Sequence, residues 1–320
     1  MPDILLSENI QGEAVDALSQ RFQVTILPDL WKDRAELLRC IPEFRALIVR
    51  NQTKVDRALL EAGSRLMVVG RAGVGLDNVD VKAATERGIL ITSTPDQNTI
   101  SVAELAIGMM LALARRIPAA NEDTRAGNWN RQRFCGTELH GKTFGIIGAG
   151  KIGYLTARRA QAFGMNILAY DPYLSRDNVY LSELAAELVS LEELLERSDV
   201  VSCHMPSTPE TAGRLNAEMF GLMKASAFFI NTSRGEVVAE ADLAAALKAG
   251  VLAGAALDVR AKEPPAAGVL EDAPNILLTP HIAAFTDEAQ NRVTRAICED
   301  VARVLDGLPA QNGVNRVPKK

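Results

Sequence analysis

The chain has 320 residues, 48% of them hydrophobic and 23% charged, a length and composition that suit two globular domains, each burying its own core. A net charge of -5 repels DNA and anionic lipid and leaves room only for a local anion pocket, and aromatic residues at 5% offer no stacking surface, so no nucleic-acid partner is expected. Cys40, Cys135, Cys203 and Cys298 form no C-x-x-C pair, the amino terminus lacks a leader pattern and no apolar run is long enough to span a bilayer. These features predict a cytoplasmic chain without disulfides, metal or membrane contact.

In chain order, aliphatic runs at Ile4 to Leu6, Val24 to Leu27, Ala46 to Val49, Leu66 to Val69 and Ile89 to Thr92 alternate with amphipathic stretches such as Gly12 to Ser19 and Val55 to Ala62. That rhythm predicts a parallel sheet covered by helices, because parallel strands need crossover connections. Ser101 to Arg116 reads as one long apolar helix. Alternation then restarts with six expected strands: Phe144 to Ile147, Asn166 to Tyr170, Val200 to His204, Phe228 to Asn231, Ala253 to Leu257 and Ile276 to Thr279. Thr286 is placed to cap a last helix that stops at Gly307, long enough to cross back to the first domain. Only Pro264 to Gly268 and the tail from Pro309 read as loose. The expected fold class is α/β, with two Rossmann-like doubly wound parallel-sheet domains and a cleft between them.

The sequence Gly148-Ala149-Gly150-Lys151-Ile152-Gly153 follows an apolar run and opens a helical stretch, the context a dinucleotide fingerprint requires. The first glycine permits a tight turn, Gly150 lets the backbone approach a pyrophosphate, and Gly153 lets helix and strand pack closely, while the helix N-terminus offers free N–H groups. Asp171 ends the next apolar run, 18 residues beyond Gly153, near the spacing at which a carboxylate meets the adenosine ribose. Its charge favours NAD over NADP, with Arg176 the nearby residue that could reverse the preference.

Arg234, Glu263 and His281 all fall where strand ends are expected, and ligand sites in such sheets form outside the carboxyl ends of the strands. A guanidinium can hold a carboxylate or polarise a keto oxygen, an imidazole can exchange a proton, and a nearby carboxylate stabilises imidazolium. Read singly, they are a surface arginine, a loop acid and a core histidine; together, behind a cofactor loop, they point to catalysis.

These residues carry a resemblance. Gly73-Val74-Gly75-Leu76-Asp77-Asn78-Val79-Asp80, Asn98-Thr99-Ile100-Ser101-Val102-Ala103-Glu104-Leu105, the glycine fingerprint, Asn231-Thr232-Ser233-Arg234-Gly235 and Pro280-His281 occur in the family order of the D-isomer-specific 2-hydroxyacid dehydrogenases, and the likeness spans essentially the whole chain. The resemblance implies that Arg234 binds substrate, that His281 donates and accepts the proton, that Glu263 pairs with His281, and that amides around Val74 and Gly75 hold the substrate carboxylate. It implies cofactor contacts at Val74, Lys151, Ile152, Asp171, Met205, Thr232, Asp258 and the loop His281 to Ala284, including Ala283. It further implies a substrate-binding domain of residues 1–97 plus 286–320, an NAD-binding domain of residues 98–285 and a homodimer.

Within the family, Val49-Arg50-Asn51-Gln52-Thr53-Lys54-Val55 and Trp129-Asn130-Arg131-Gln132-Arg133-Phe134-Cys135-Gly136-Thr137-Glu138-Leu139 are most similar to the 3-phosphoglycerate dehydrogenase branch. There Arg50, Arg131 and Arg133 would meet a phosphate, the latter pair across a dimer; the alternative is three solvated surface arginines. Asn51 stands where a serine is commoner, Arg260 where an aromatic is usual, and no regulatory domain is expected after the core. Arg260, close to Glu263, points toward another anionic substrate. The expectation is reversible hydride transfer between NAD and a small anionic 2-hydroxy or 2-keto acid, 3-phosphoglycerate being one candidate. The alternatives are a glyoxylate or hydroxypyruvate reductase and an NAD-sensing protein of the corepressor kind.

Overall fold

The computed structural model describes residues 2–266 and 268–317; Ala267, within one expected loose segment, and residues 318–320, at the end of the other, lie outside the described residues. The chain divides into two compact units, Met1–Asn98 with Phe285–Lys320, and Thr99–Ala284.

The first unit is built on β1 (Ile4–Leu6), β2 (Val24–Ile26), β3 (Ala46–Val49), β4 (Val68–Arg71) and β5 (Leu90–Thr92), all parallel, in the order β2-β1-β3-β4-β5. Alternate residues face opposite sides, as a pleated strand dictates. Leu5, Leu47, Val49 and Val69 pack into one core with Leu37, Leu59 and Leu60, while Ile4, Leu6, Ile48 and Val68 pack into another with Val293, Ile297 and Val301 of the helix Asp287–Leu305. Thr286 Oγ1 accepts from the Ala289 N–H at 3.2 Å and caps that helix. Gly70 lets the helix come close, since a Cβ there would lie 2.8 Å from Ile297 Cγ1 and 2.9 Å from Val301 Cγ2. This strand order is the flavodoxin-like one, and its direction reverses between β1 and β3, where a ligand crevice is expected beyond the strand ends.

The second unit carries seven parallel strands: β6 (Thr143–Ile147), β7 (Asn166–Tyr170), β8 (Glu187–Leu188), β9 (Val200–Cys203), β10 (Phe228–Asn231), β11 (Gly254–Leu257) and β12 (Ile276–Leu278). Their order, β12-β11-β10-β9-β6-β7-β8, contains the Rossmann arrangement and reverses between β6 and β9. Six strands are expected from the sequence; the seventh, β8, is a two-residue edge strand paired only through Leu168–Glu187 and Ala169–Leu188, too short to leave a periodic signal. Phe144 and Ile146 of β6 face the helix Thr99–Ala114, whose Ala106, Met109 and Met110 are buried, and Ile147 faces the opposite layer with Leu191 and Leu194.

That helix has the expected length but begins and ends two residues earlier than the expected Ser101 to Arg116. Arg116 takes a left-handed backbone (φ 52°), which ends the run, and Pro118 helps start a second helix, Ile117–Arg125, that buries no residue. Among the described residues no helix is long and apolar enough to cross a membrane, and no group of three or more His, Cys, Asp or Glu is placed to hold a metal ion.

Candidate active site

The glycine loop lies at the strand reversal of the second sheet. Gly148 has φ 89°, which favours glycine, and a Cβ there would press on the His204 carbonyl at 2.9 Å. A Cβ at Gly153 would collide with the Gly148 carbonyl oxygen, whereas at Gly150 it would meet nothing within 4 Å, so the open side of the loop is at the second glycine. The helix Lys151–Ala162 begins there with no side-chain cap, so its N-terminus presents backbone rather than a capping side chain, the end of a helix that suits an anion. At the end of β7 the Asp171 carboxylate accepts from the N–H of Ala149 at 3.0 Å and of Tyr173 at 2.9 Å, and each oxygen keeps capacity for a ribose hydroxyl. Arg176 lends its charge to Glu187, whose carboxyl is lowered mainly by the hydrogen bond from Arg197.

Met205 is buried behind the loop and the Thr232 hydroxyl is buried without a partner. His204, at the end of β9, was not singled out by sequence. Its Nε2 lies 2.9 Å from Ser202 Oγ, its Nδ1 is buried and unpartnered, and burial pulls its pKa from 6.5 down to about 4. An open glycine cradle, an uncapped helix start, a ribose-spaced carboxylate and an orphaned hydroxyl fit a dinucleotide such as NAD.

The loops after β10, β11 and β12 gather the charged groups. Asn231 shapes the first: its Nδ2 donates to the Arg234 carbonyl at 2.8 Å and its Oδ1 accepts from Ser233 N–H and Oγ. Arg234 Nη1 donates to the Ser233 carbonyl at 2.8 Å. Gly235 lies so close to Arg260 that a Cβ would collide with its backbone, which holds the Arg234 loop against the segment bearing Glu263. Asp258, almost wholly buried, accepts from Thr279 Oγ1 at 2.6 Å and from the N–H of Ile282 and Ala283 at 2.8 Å each. Its carboxylate thus anchors the loop carrying His281 and keeps one acceptor position, on Oδ2, for a further donor. His281 itself has a left-handed backbone (φ 55°), and its N–H donates to the Asp258 carbonyl at 2.7 Å.

His281 Nδ1 lies 2.6 Å from Glu263 Oε2, and Glu263 Oε1 accepts from the Arg260 N–H at 3.0 Å. Burial pushes the Glu263 carboxyl up, but the hydrogen bonds from His281 and Arg260 and the charges of His281 and Arg234 outweigh it and hold the carboxyl below its ordinary range. An ionised carboxylate has no proton to give, so Nδ1 donates and Nε2 is the ring nitrogen left for chemistry.

Arg260 differs from the sequence expectation. Its guanidinium is only 9% exposed and is engaged by Glu240 and Glu271, so it does not present itself to an anionic substrate.

The first unit builds its own loop cluster at the reversal between β1 and β3. Glu8 is buried at the end of β1, and its two oxygens accept from the N–H groups of Arg50 (2.8 Å), Thr53 (2.9 Å) and Gln52 (3.1 Å). Asn78 Nδ2 donates to the carbonyls of Arg50 and Thr53. The Arg50 guanidinium sits 4.9 Å from the Phe285 ring centroid; burial lowers its pKa and the Glu8 charge opposes that. Asn51 is exposed beside it. Gly73 (φ 148°) turns the chain after β4, and among the described residues the N–H groups of Val74 and Gly75 donate to no protein acceptor. Glu8 escaped sequence reading because one acid after a short strand has no pattern. Arg131 and Arg133 lie in an exposed turn of the second unit, where the Arg133 guanidinium contacts Asp123 and Phe134.

Residues 107–283 match the family described as D-isomer specific 2-hydroxyacid dehydrogenase, NAD binding domain. The chain belongs to the D-isomer specific 2-hydroxyacid dehydrogenases. The cofactor of the matched domain is NAD, in keeping with the glycine cradle and Asp171. The chain is 44% identical to a D-3-phosphoglycerate dehydrogenase of Archaeoglobus fulgidus over 98% of its own length and spans 59% of that relative. The crystal structure of a Thermus thermophilus protein superposes with a TM-score of 0.92 at 35% identity, covering 98% of this dehydrogenase-family chain and all of that one. The Aquifex aeolicus D-lactate dehydrogenase, solved with NAD and lactic acid, gives 0.84 at 30% identity, covering 95% and 96% of the two chains.

Proposed function

We propose that the chain is an NAD-dependent dehydrogenase that interconverts a small anionic D-2-hydroxy acid and its 2-keto acid, with 3-phosphoglycerate as the leading substrate. The observation that carries this reading is the 2.6 Å pairing of His281 with a carboxylate held ionised, with Arg234 close enough to add its charge. NAD supplies the hydride acceptor. The chain's own groups do the rest. Arg234 holds the substrate and polarises its oxygen, the N–H groups of Val74 and Gly75 receive the carboxylate, and His281 Nε2 takes the hydroxyl proton while Glu263 stabilises the imidazolium. Lys151, Ile152 and the glycine loop take the pyrophosphate, Asp171 the ribose, and Thr232, Asp258, Met205, Ala283 and Ala284 the nicotinamide end.

The phosphoglycerate assignment is supported by the names of the relatives and by Arg50, a half-buried guanidinium at the strand reversal of the first unit whose loop is built on Glu8. Arg131 and Arg133 would meet the same phosphate from the second subunit of a homodimer. That assembly is supported by the exposed helix Ile117–Arg125 and by Trp129, 77% exposed. In this reading the first unit binds substrate, the second binds NAD, and the enzyme works in the cytoplasm, in keeping with four cysteines that are all free.

The test is NADH oxidation with phosphohydroxypyruvate, hydroxypyruvate, glyoxylate and other 2-keto acids. Highest kcat/KM for phosphohydroxypyruvate is expected. A preference for glyoxylate or hydroxypyruvate would reassign Arg50, Arg131 and Arg133, and NADH binding without turnover of any acid would replace the enzyme by a sensor. Light scattering tests the dimer.

A further inference from the structure

We propose that Arg260 is a positioning residue for the proton-transfer pair: its guanidinium pins the segment that carries Glu263 so that this carboxylate stays against His281. The inference deepens the dehydrogenase reading and rests on it for its kinetic consequence, while its geometric content stands on the contacts alone.

The contacts form a fork. Arg260 Nε and Nη2 donate to Glu240 Oε1 and Oε2 at 3.1 and 3.2 Å, and Nη1 donates to Glu271 Oε1 at 2.6 Å. Paired donors on a carboxylate fix direction as well as distance, which a lysine cannot do. The same two acids also hold backbone: Glu240 Oε1 accepts from the Ala261 N–H at 2.8 Å and Glu271 Oε2 from the Gly268 N–H at 3.0 Å. Glu240 is itself fixed as the first residue of the helix Glu240–Lys248, where the helix dipole favours its charge. On the far side, the Gly235 backbone lies directly against that of Arg260.

The link to the pair is one residue long. The Arg260 N–H donates to Glu263 Oε1, which leaves Oε2 for His281 Nδ1. A side chain that anchors its own backbone therefore sets where the Glu263 carboxylate sits. Glu263 is 32% exposed and His281 41%, so neighbouring packing alone does not lock either one, and the anchor has to come from this segment. Arg260 touches neither substrate nor cofactor in this reading; it acts through Glu263.

The decisive measurement is proton NMR of the full-length protein without ligands, following the downfield Nδ1–H of His281. The chain has three histidines, so assignment by single substitution is short. Arg260→Met keeps the apolar stem and removes the fork. The expected result is a Nδ1–H signal broadened by exchange with water, together with a kcat lowered about tenfold to a hundredfold and an unchanged Kd for NADH. Arg260→Lys should recover part of both, since one ammonium can serve one carboxylate. Glu271→Gln, which keeps the shape of the cluster, should broaden the signal less and guards against misfolding of the methionine variant. A signal that stays sharp in folded Arg260→Met or, should that variant unfold, in Glu271→Gln, with only the melting temperature lowered, would overturn the proposal. If the wild-type protein reduces no 2-keto acid and the signal still responds to these substitutions, the positioning role stands and the dehydrogenase reading is what fails.

Discussion

The two halves of the seven-stranded sheet end in opposite kinds of chemistry. Beyond β6, β7 and β9 the groups on offer are backbone N–H donors, one ribose-spaced carboxylate and His204, a histidine kept neutral by burial. Beyond β10, β11 and β12 they are Arg234, Glu263 and His281, with Asp258 and Arg260 behind them holding the loops in place. The two histidines make the contrast sharp. Among the described residues the His204 ring has one hydrogen-bond partner, a serine hydroxyl, whereas His281 has a carboxylate on one ring nitrogen and the other left for chemistry. Backbone dipoles suit a fixed anion, while a proton in transit needs a charged partner that accommodates either state. The division predicts that damage on the first side appears in cofactor affinity and damage on the second in kcat.

The largest effect is expected at His281. His281→Ala should lower kcat by about a thousandfold with the Kd for NADH nearly unchanged. His204→Gln should do the reverse, weakening NADH binding and sparing kcat. Stopped-flow turnover beside fluorescence titration reads both, and an equal loss of kcat in the two variants would erase the contrast.

Glu263→Gln should lower kcat by about a hundredfold, because the amide keeps the shape without the charge that stabilises imidazolium. The sign of its pH dependence follows from the lowered Glu263 pKa. A group whose folded pKa is depressed contributes stability that is present above the unfolded value and lost as pH falls through the folded one. For Glu263 that window lies below the ordinary carboxylate value of 4.5. A denaturation series at decreasing pH should show this loss in the wild type and not in Glu263→Gln.

Much of this division was legible in the residues themselves. The strand runs are aliphatic because parallel strands are buried on both faces, and the glycines are spaced by the turn they make, so β6 and its loop announce themselves. What stayed hidden depends on contacts distant in sequence. Glu8 reads as an ordinary loop acid until 42 residues later the Arg50 N–H is found on it. Arg260 reads as a substrate arginine until Glu240 and Glu271 close around it. The long helix was expected to run through Arg116 because composition there favours helix, and only the left-handed backbone at that residue reveals the break. Length and pattern carry the elements, but the assignment of a charge to structure or to chemistry needs its neighbours.

His204 gives a third, smaller effect. Its folded pKa of about 4 lies below the ordinary 6.5, so the unfolded chain takes up the proton first. Folded-state stability should therefore fall as pH drops from 6.5 toward 4 and level off below that. The loss is about 2 kcal/mol once partial solvent screening is allowed for. His204→Gln should flatten that slope in urea titrations across the interval, and an unchanged slope would mean that the imidazole is not held neutral by its surroundings.

The smallest effect is expected at Asp171, and it tests the binding half from the cofactor's side. The carboxylate takes the Ala149 N–H on one oxygen and the Tyr173 N–H on the other, so Asp171→Asn keeps the shape beyond β7 but loses the charge and one of these two bonds. Affinity for NADH should fall by about fivefold, the worth of one charge-assisted hydrogen bond reduced to a neutral one. Affinity for NADPH should rise at the same time, because the repulsion of the 2′-phosphate is gone. The gain should stay modest, since Arg176 lends its charge to Glu187. Doubling the substitution with Glu187→Gln would release that arginine and should increase NADPH binding further. If the double variant is no better than the single one, Arg176 does not reach the ribose, and the preference for NAD rests on Asp171 alone.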